Sequence, residues 1–231
     1  MKNYVAVVDS GIGGITTLSK IVEIIKGYDF IYFSDTKYLP YGNKSKRVIT
    51  QRLSYITEKF IQNGAVAIVI ACNTATNVCI DYLRKNYNIT IIGTEPAIKL
   101  SKNYNGKTAA LVTPLTAKQK KFRKLIKNYG KNIDVVPLKD MANFIQSNIN
   151  NLNETVSIIS QKLSFLSKYD NVVLGCTHYV YLTPYIKNLF PHIKIFDGNV
   201  GVANRLKSVL PRNESKKTSV IKFLNKIEDL L

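Results

Sequence analysis

The sequence is poor in histidine and cysteine, with only His178 and His192 of the first and Cys72, Cys79 and Cys176 of the second in 231 residues. Structural and catalytic zinc sites draw on closely spaced cysteines and histidines, and no such spacing occurs here. An odd number of cysteines with no export signal reads as free thiols, not as a disulfide framework. No apolar run approaches the ~20 residues that a membrane span requires. The amino terminus, Met1-Lys2-Asn3-Tyr4, leads directly into a strand pattern without the layout of a signal peptide. A cytoplasmic protein without membrane contact is therefore expected.

Acidic residues are also scarce, 15 Asp and Glu against 33 Lys and Arg, for a formal net charge of +18. Such a field attracts polyanions, and a basic protein that contacts DNA or a DNA enzyme is one reading of it. The excess is mostly lysine, however, spread from Lys20 to Lys226 on stretches that read as helix faces. Its densest run, Lys118-Gln119-Lys120-Lys121-Phe122-Arg123-Lys124, reads as the polar side of an amphipathic helix. The charge is taken as solvated, with no dedicated nucleic-acid site. Nothing marks out one lysine as a Schiff-base partner for pyridoxal phosphate, so no cofactor is expected.

What is present is an alternation of strand-like and helix-like segments in a chain that is 45% hydrophobic, which argues for a globular α/β protein. Val66-Ala67-Ile68-Val69-Ile70-Ala71 is an unbroken apolar run of strand length, and it ends at Cys72-Asn73-Thr74-Ala75-Thr76 before a helical pattern begins. Asn171-Val172-Val173-Leu174-Gly175-Cys176-Thr177-His178 repeats the arrangement a hundred residues later. Each strand thus ends at a cysteine followed by amide or hydroxyl side chains. Cys79 lacks that context and reads as packing.

The first strand, Tyr4-Val5-Ala6-Val7-Val8, enters Asp9-Ser10-Gly11-Ile12-Gly13-Gly14 and then a helix to about Lys26. A dinucleotide fingerprint fails there, because Thr16 stands where the third glycine belongs. Asp9 and Ser10 instead lie at the carboxyl end of a strand, where open α/β sheets bind ligands, with glycines that let backbone amides approach an anion. A second strand runs from Phe30 to Asp35 and is followed by a Pro40-Tyr41-Gly42 turn. A helix over about 45–63, the Cys72 strand, a helix to about Lys85 and a strand at 90–93 follow, and Glu95-Pro96 is expected to open another helix. From Lys107 the pattern restarts with a strand at 108–113, a helix at about 116–129 and a strand at 135–138. An Asn-rich helical stretch, the Cys176 strand, a helix and a strand at 194–197 come next. Two similar α/β domains with mainly parallel sheets are expected, residues 1–96 with 198–231 forming the first and 97–197 the second. The tail is assigned to the first because its helix from Val200 and its apolar stretch from Ser219 have no strand partners nearby in sequence.

Asp9-Ser10-Gly11-Ile12-Gly13-Gly14, Pro40-Tyr41-Gly42, Ala71-Cys72-Asn73-Thr74-Ala75 and Leu174-Gly175-Cys176-Thr177-His178-Tyr179 resemble the signature blocks of the bacterial glutamate racemases, in that family's order and spacing. The resemblance runs from the first strand to about Arg205. It implies two α/β domains with the active site in the cleft between them, cofactor-independent interconversion of L- and D-glutamate, and supply of D-glutamate for peptidoglycan. It implies Cys72 and Cys176 as the two catalytic bases, the first acting on D-glutamate and the second on L-glutamate, assisted by Asp9 and His178. It also implies substrate contacts from Asp9, Ser10, Tyr41, Gly42, Asn73, Thr74, Thr177 and His178, and a homodimer as the assembly. The chain departs from the family pattern at Asp140, where a glutamate is usual, and at Val180, Ser34 and Leu115. Asp140 and Leu115 leave open a related two-cysteine racemase for aspartate or another amino acid.

The chemistry follows from the residue types. Inverting a stereocentre through a carbanion needs a base on one face of the α-carbon and an acid on the other. Two thiols serve both directions, and a helix start or nearby cation is expected to lower their pKa below the usual ~8.5. His178 is expected to exchange protons near its ordinary pKa.

Overall fold

The computed structural model describes residues 3–130, 132–211 and 219–230. Its central strands form where apolar residues run with little interruption, because a parallel strand covered on both faces has no polar side to alternate with. The first unit runs up to Thr94 and resumes at Asn199, and the second is Glu95–Gly198.

The first unit begins with β1 (Tyr4–Asp9), α1 (Ile15–Ile24), β2 (Asp29–Ser34), α2 (Lys46–Gln62), β3 (Ala65–Ile70), α3 (Asn73–Asn86) and β4 (Thr90–Gly93). The second contains α4 (Ile98–Ser101), β5 (Thr108–Val112), α5 (Pro114–Lys118), α6 (Lys120–Tyr129), β6 (Ile133–Pro137), α7 (Met141–Asn148), α8 (Val156–Leu163), β7 (Asn171–Gly175), α9 (Thr183–Leu189) and β8 (Lys194–Phe196). The chain then returns to the first unit with α10 (Asn199–Val209) and β9 (Ile221–Leu224).

Both sheets are parallel. The first has the order β4-β3-β1-β2-β9 and the second β6-β5-β7-β8. On one face of the first sheet, Val5, Val7, Phe30, Tyr32 and Val69 pack against Leu18 and Ile21 of α1 and Val202 and Leu206 of α10. The alternate residues Ala6, Val8, Phe33 and Ile68 are equally buried on the other face. In the second sheet, Leu111 and Leu174 pack with Ile145 and Ile159 on one side, and Val112 and Val173 with Ile98 and Phe122 on the other. Central strands β1 and β7 are thus covered on both faces, and their carboxyl ends open into loops.

Several local expectations are revised. Glu95-Pro96 does not open a helix, since a residue before proline is kept out of helical geometry, and α4 begins only at Ile98. The helix expected over 116–129 is two helices that meet at Gln119, whose backbone is extended (φ −77°, ψ 136°). Its side chain donates to Leu115 O at 2.8 Å, which ends the first helix. After Cys176 the chain winds as 3-10 turns over Thr177–Leu182 before α9 starts with Pro184 in its first turn, a position where the missing N–H costs no ladder bond. The apolar tail, without a strand partner nearby in sequence, pairs with the first unit: β9 lies beside β2, and Val220 N–H donates to Asp29 Oδ1 at 3.0 Å, 191 positions upstream.

Gly14 marks how tightly α1 closes on the strand ends. A Cβ there would stand 2.7 Å from the Asp9 Cβ and 3.1 Å from the Ala71 Cβ, neither of which can rotate away. Gly14→Ala is expected to destabilise the fold by about 1–3 kcal/mol, the usual cost of overpacking, read as a lower midpoint in thermal unfolding by circular dichroism. An unchanged midpoint would show that α1 can lift away freely.

Candidate active site

In the first unit the carboxyl ends of β1 and β3 are adjacent, so Asp9-Ser10 and Ala71-Cys72 are side by side by register. Asp9 is fully buried and accepts the Gly11 N–H at 3.1 Å through Oδ2. Cys72 occupies the position just before α3 with an extended backbone, and its sulfur lies 3.9 Å from Ser10 Oγ. The N–H groups of Ala75 and Thr74 at the helix start also reach that sulfur. Asn73, Thr74 and Thr76 are buried in the same turn. Asn73 Nδ2 donates to Thr94 O at 3.2 Å, and Thr76 Oγ1 donates to Ile70 O at 3.1 Å while accepting the Thr94 N–H at 3.0 Å. The turn after β3 is therefore tied to the end of β4.

The expected lowering of the Cys72 pKa is reversed. Burial, and after it the negative charge of Asp9, push the thiol up to about 12, outweighing the hydrogen bonds from Ala75 N–H, Ser10 and Thr74 N–H. Cys79, one helical stretch later, is buried too and donates to Ala75 O at 3.2 Å, as a packing thiol would.

The loop after β2 is held by a network that the sequence reading missed. Tyr41 is 1% exposed, and its hydroxyl donates to Asp35 Oδ2 at 2.7 Å. Arg52 of α2 grips the same carboxylate, Nε at 3.1 and 3.0 Å and Nη2 at 2.7 Å. The guanidinium lies 4.6 Å from the centre of the Tyr38 ring and 5.5 Å from that of Tyr55. Burial, and after it Asp35, hold the Tyr41 phenol pKa well above the usual value, and a charge on the Cys72 sulfur adds to the rise. Gly42, half-buried, follows Tyr41 in a short 3-10 turn. The available signal was the position of Asp35, one residue past the end of β2 and beside the end of β1.

In the second unit, Cys176, Thr177 and His178 are buried where β7 ends. The neighbouring strand β5 ends at Val112, and the next residue, Thr113, is placed beside Cys176 by the Val112–Gly175 register. Thr113 Oγ1 donates to Thr116 Oγ1 at 2.9 Å and accepts the Thr116 N–H at 3.2 Å. These two hydroxyls were also missed, although a polar residue after an apolar strand was the signal used for the cysteines. Tyr179 OH donates to Leu138 O at 3.0 Å. Burial, and then the charge of Cys176, hold its pKa well above the usual value.

His178 does not titrate near its ordinary pKa as expected: burial drives it down to about 4, so the ring is neutral near pH 7. Its Nε2 lies 2.9 Å from Gln146 Oε1 on α7. Asp140, before the first turn of the same helix, is exposed with a left-handed backbone (φ 57°). Among the described residues, no group of three or more His, Cys, Asp or Glu side chains is placed to hold a metal ion. No helix among them is long and apolar enough to cross a membrane.

Two measurements check this electrostatic picture. Because the Asp9 charge raises the Cys72 pKa, Asp9→Asn should bring it down and speed alkylation of Cys72 by iodoacetamide at pH 8, followed by mass spectrometry of the labelled peptide; an equal or slower rate would contradict the assigned cause. Arg52→Leu leaves Asp35 buried without its cation and is expected to cost ~3–5 kcal/mol in denaturant unfolding, with part of the loss recovered on adding Asp35→Asn.

The profile of the Asp/Glu/Hydantoin racemase family matches residues 12–205. A glutamate racemase of Halothermothrix orenii is 36% identical over 213 residues, covering 89% of this chain and 84% of that protein. One from Campylobacter concisus is 37% identical over 216 residues, covering 89% and 82%. Among solved structures, Escherichia coli glutamate racemase in complex with L-glutamate and the activator UDP-MurNAc-ala has a TM-score of 0.86 at 25% identity, covering 96% of this chain and 89% of that one. Picrophilus torridus aspartate racemase, 17% identical with a TM-score of 0.56 over 90% of this chain and 94% of that one, shares the fold. Matched over most of its length by profile and by relatives alike, the chain belongs to the Asp/Glu/hydantoin racemase family.

Proposed function

We propose that the protein is a cofactor-independent glutamate racemase that interconverts L- and D-glutamate by a two-base cysteine mechanism and supplies D-glutamate for peptidoglycan synthesis. The observation that carries this reading is the pair of buried thiols, each at the carboxyl end of a parallel strand and each followed by amide or hydroxyl side chains. The curated relatives named glutamate racemase favour glutamate over aspartate as substrate.

In this reading Cys72 removes the α-proton of D-glutamate and Cys176 that of L-glutamate, and the opposite thiol returns a proton to the other face. Ser10, Asn73, Thr74 and Thr177, with the N–H groups at the start of α3, bind substrate carboxylate, and Tyr41 and Gly42 line the same site. Charge moves onto the α-carboxylate when the α-carbon loses its proton, so donors already in place stabilise the transition state without reorganising.

The high pKa of Cys72 gives Asp9 a defined part. Alone, its carboxylate suppresses the thiolate. When the substrate ammonium pairs with Asp9, the negative field is cancelled and a cation is brought beside the sulfur, and both changes favour the thiolate. Asp9 therefore delays formation of the base until substrate is bound. His178 serves Cys176 as a neutral proton-exchange partner. The enzyme works in the cytoplasm on a small soluble amino acid, as a homodimer.

Purified protein with L- or D-glutamate in deuterated water should lose optical activity and incorporate one α-deuterium per inverted molecule. Cys72→Ser and Cys176→Ser should each lower kcat on the order of 10²-fold or more, because a serine hydroxyl is a far weaker acid than a thiol at positions where a positioned acid or base supplies ~10²–10⁴-fold. Stable optical rotation in the wild type, or full turnover in either variant, would remove the proposal.

A further inference from the structure

The two thiols account for the proton that crosses the α-carbon, but the hydrogen bond between His178 and α7 has no part in that scheme. His178 is 2% exposed and sits in the 3-10 turn that packs on α7. Its Nε2 and Gln146 Oε1 are 2.9 Å apart. An amide oxygen can only accept, so this contact forms only when Nε2 carries the ring proton. A neutral imidazole has one proton to place, and fixing it on Nε2 leaves Nδ1 as the sole unprotonated nitrogen. Burial keeps the ring neutral, so the choice is between tautomers and not between charge states.

Gln146 is itself half-buried on α7, directly after Ile145, which is fully buried in the core of this unit. Its side chain therefore projects from a fixed backbone. A glutamine brings an acceptor without a charge, so it orients the ring without drawing a second proton onto it. A carboxylate in the same place would stabilise the imidazolium instead.

We infer that Gln146 is a positioning residue that locks His178 as the Nε2-protonated tautomer, so that Nδ1 is the nitrogen that exchanges a proton with the Cys176 thiol. The inference rests on the proposed two-cysteine racemase reading for its kinetic consequence, whereas the tautomer is a property of the ligand-free protein. Removing the lock slows the step made by Cys176 and leaves the step made by Cys72 as it was. Because L- and D-glutamate are equally stable, kcat/KM must fall by the same factor in both directions. The asymmetry appears in the isotope effects: with α-deuterated substrates, the effect on kcat/KM should grow from L-glutamate and shrink from D-glutamate.

The test uses the full chain labelled with nitrogen-15 histidine. The sequence contains only two histidines, so a His192→Gln version assigns the His178 ring signals directly. Wild type should show the two-bond nitrogen–proton pattern of an Nε2–H ring. Gln146→Leu should show tautomer mixing and a fall in kcat/KM on the order of tenfold, a part of the ~10²–10⁴ that a positioned acid–base group supplies. Gln146→Glu, which keeps the acceptor oxygen but adds a charge, should keep the proton on Nε2 and raise the pH at which Nδ1 takes up a second one, whereas a tautomer mixture like that of the leucine variant would show that packing and not the acceptor sets the ring. An Nδ1–H ring in the wild type overturns the inference, as does a leucine variant with mixed tautomers and unchanged kinetics and isotope effects. Full turnover in Cys176→Ser would instead overturn the function on which the kinetic part rests, leaving the tautomer measurement intact.

Discussion

A sulfur set at the end of a strand that is covered on both faces cannot spread a charge into water, and the architecture of the first unit follows from holding one there. The strand must be apolar throughout to be covered on both sides, as β3 is from Ala67 to Ile70. Covering requires helices on both faces, and parallel strands joined through helices place their turns at the carboxyl edge. Cys72 therefore arrives at a helix start because of the topology. The N–H groups found there are too few to outweigh burial and the Asp9 charge.

Two carboxylates at neighbouring strand ends show how context divides similar groups. Asp35 follows β2 and is met by a bidentate guanidinium, which converts it into a fixed acceptor for the Tyr41 hydroxyl. Asp9 ends β1, accepts a backbone N–H and directs its field at the thiol. The first shapes the loop that carries Tyr41 and Gly42, and the second adds to the burial that raises the proton affinity of Cys72. The pairing between β1 and β2 puts them within one strand spacing of each other.

The strands and the positions of Cys72, Asp9 and Cys176 were legible in the sequence because they depend on local pattern: an apolar run, then a polar residue. What was not legible depends on contacts made across the fold. The partner of β9 is strand β2 at the other end of the chain, and no periodicity in the tail points to it. Arg52 is one of many cations on a polar helix face until folding brings it onto Asp35. Gln146 lies in an Asn-rich stretch that looked only polar. The sign of the Cys72 shift also escaped, since a helix start is visible in sequence whereas the depth of burial that overrides it is not. Gly14 was seen among the turn glycines, and the structure adds that it is where α1 comes against Asp9 and Ala71.

Burial of Cys72 beside Asp9 also bears on chemical damage. Peroxides and other oxidants attack sulfur in its ionised form, so a protonated, sequestered thiol converts slowly to sulfenic acid and its irreversible successors. A thiol held neutral in this way is thus slow to be lost to oxidation.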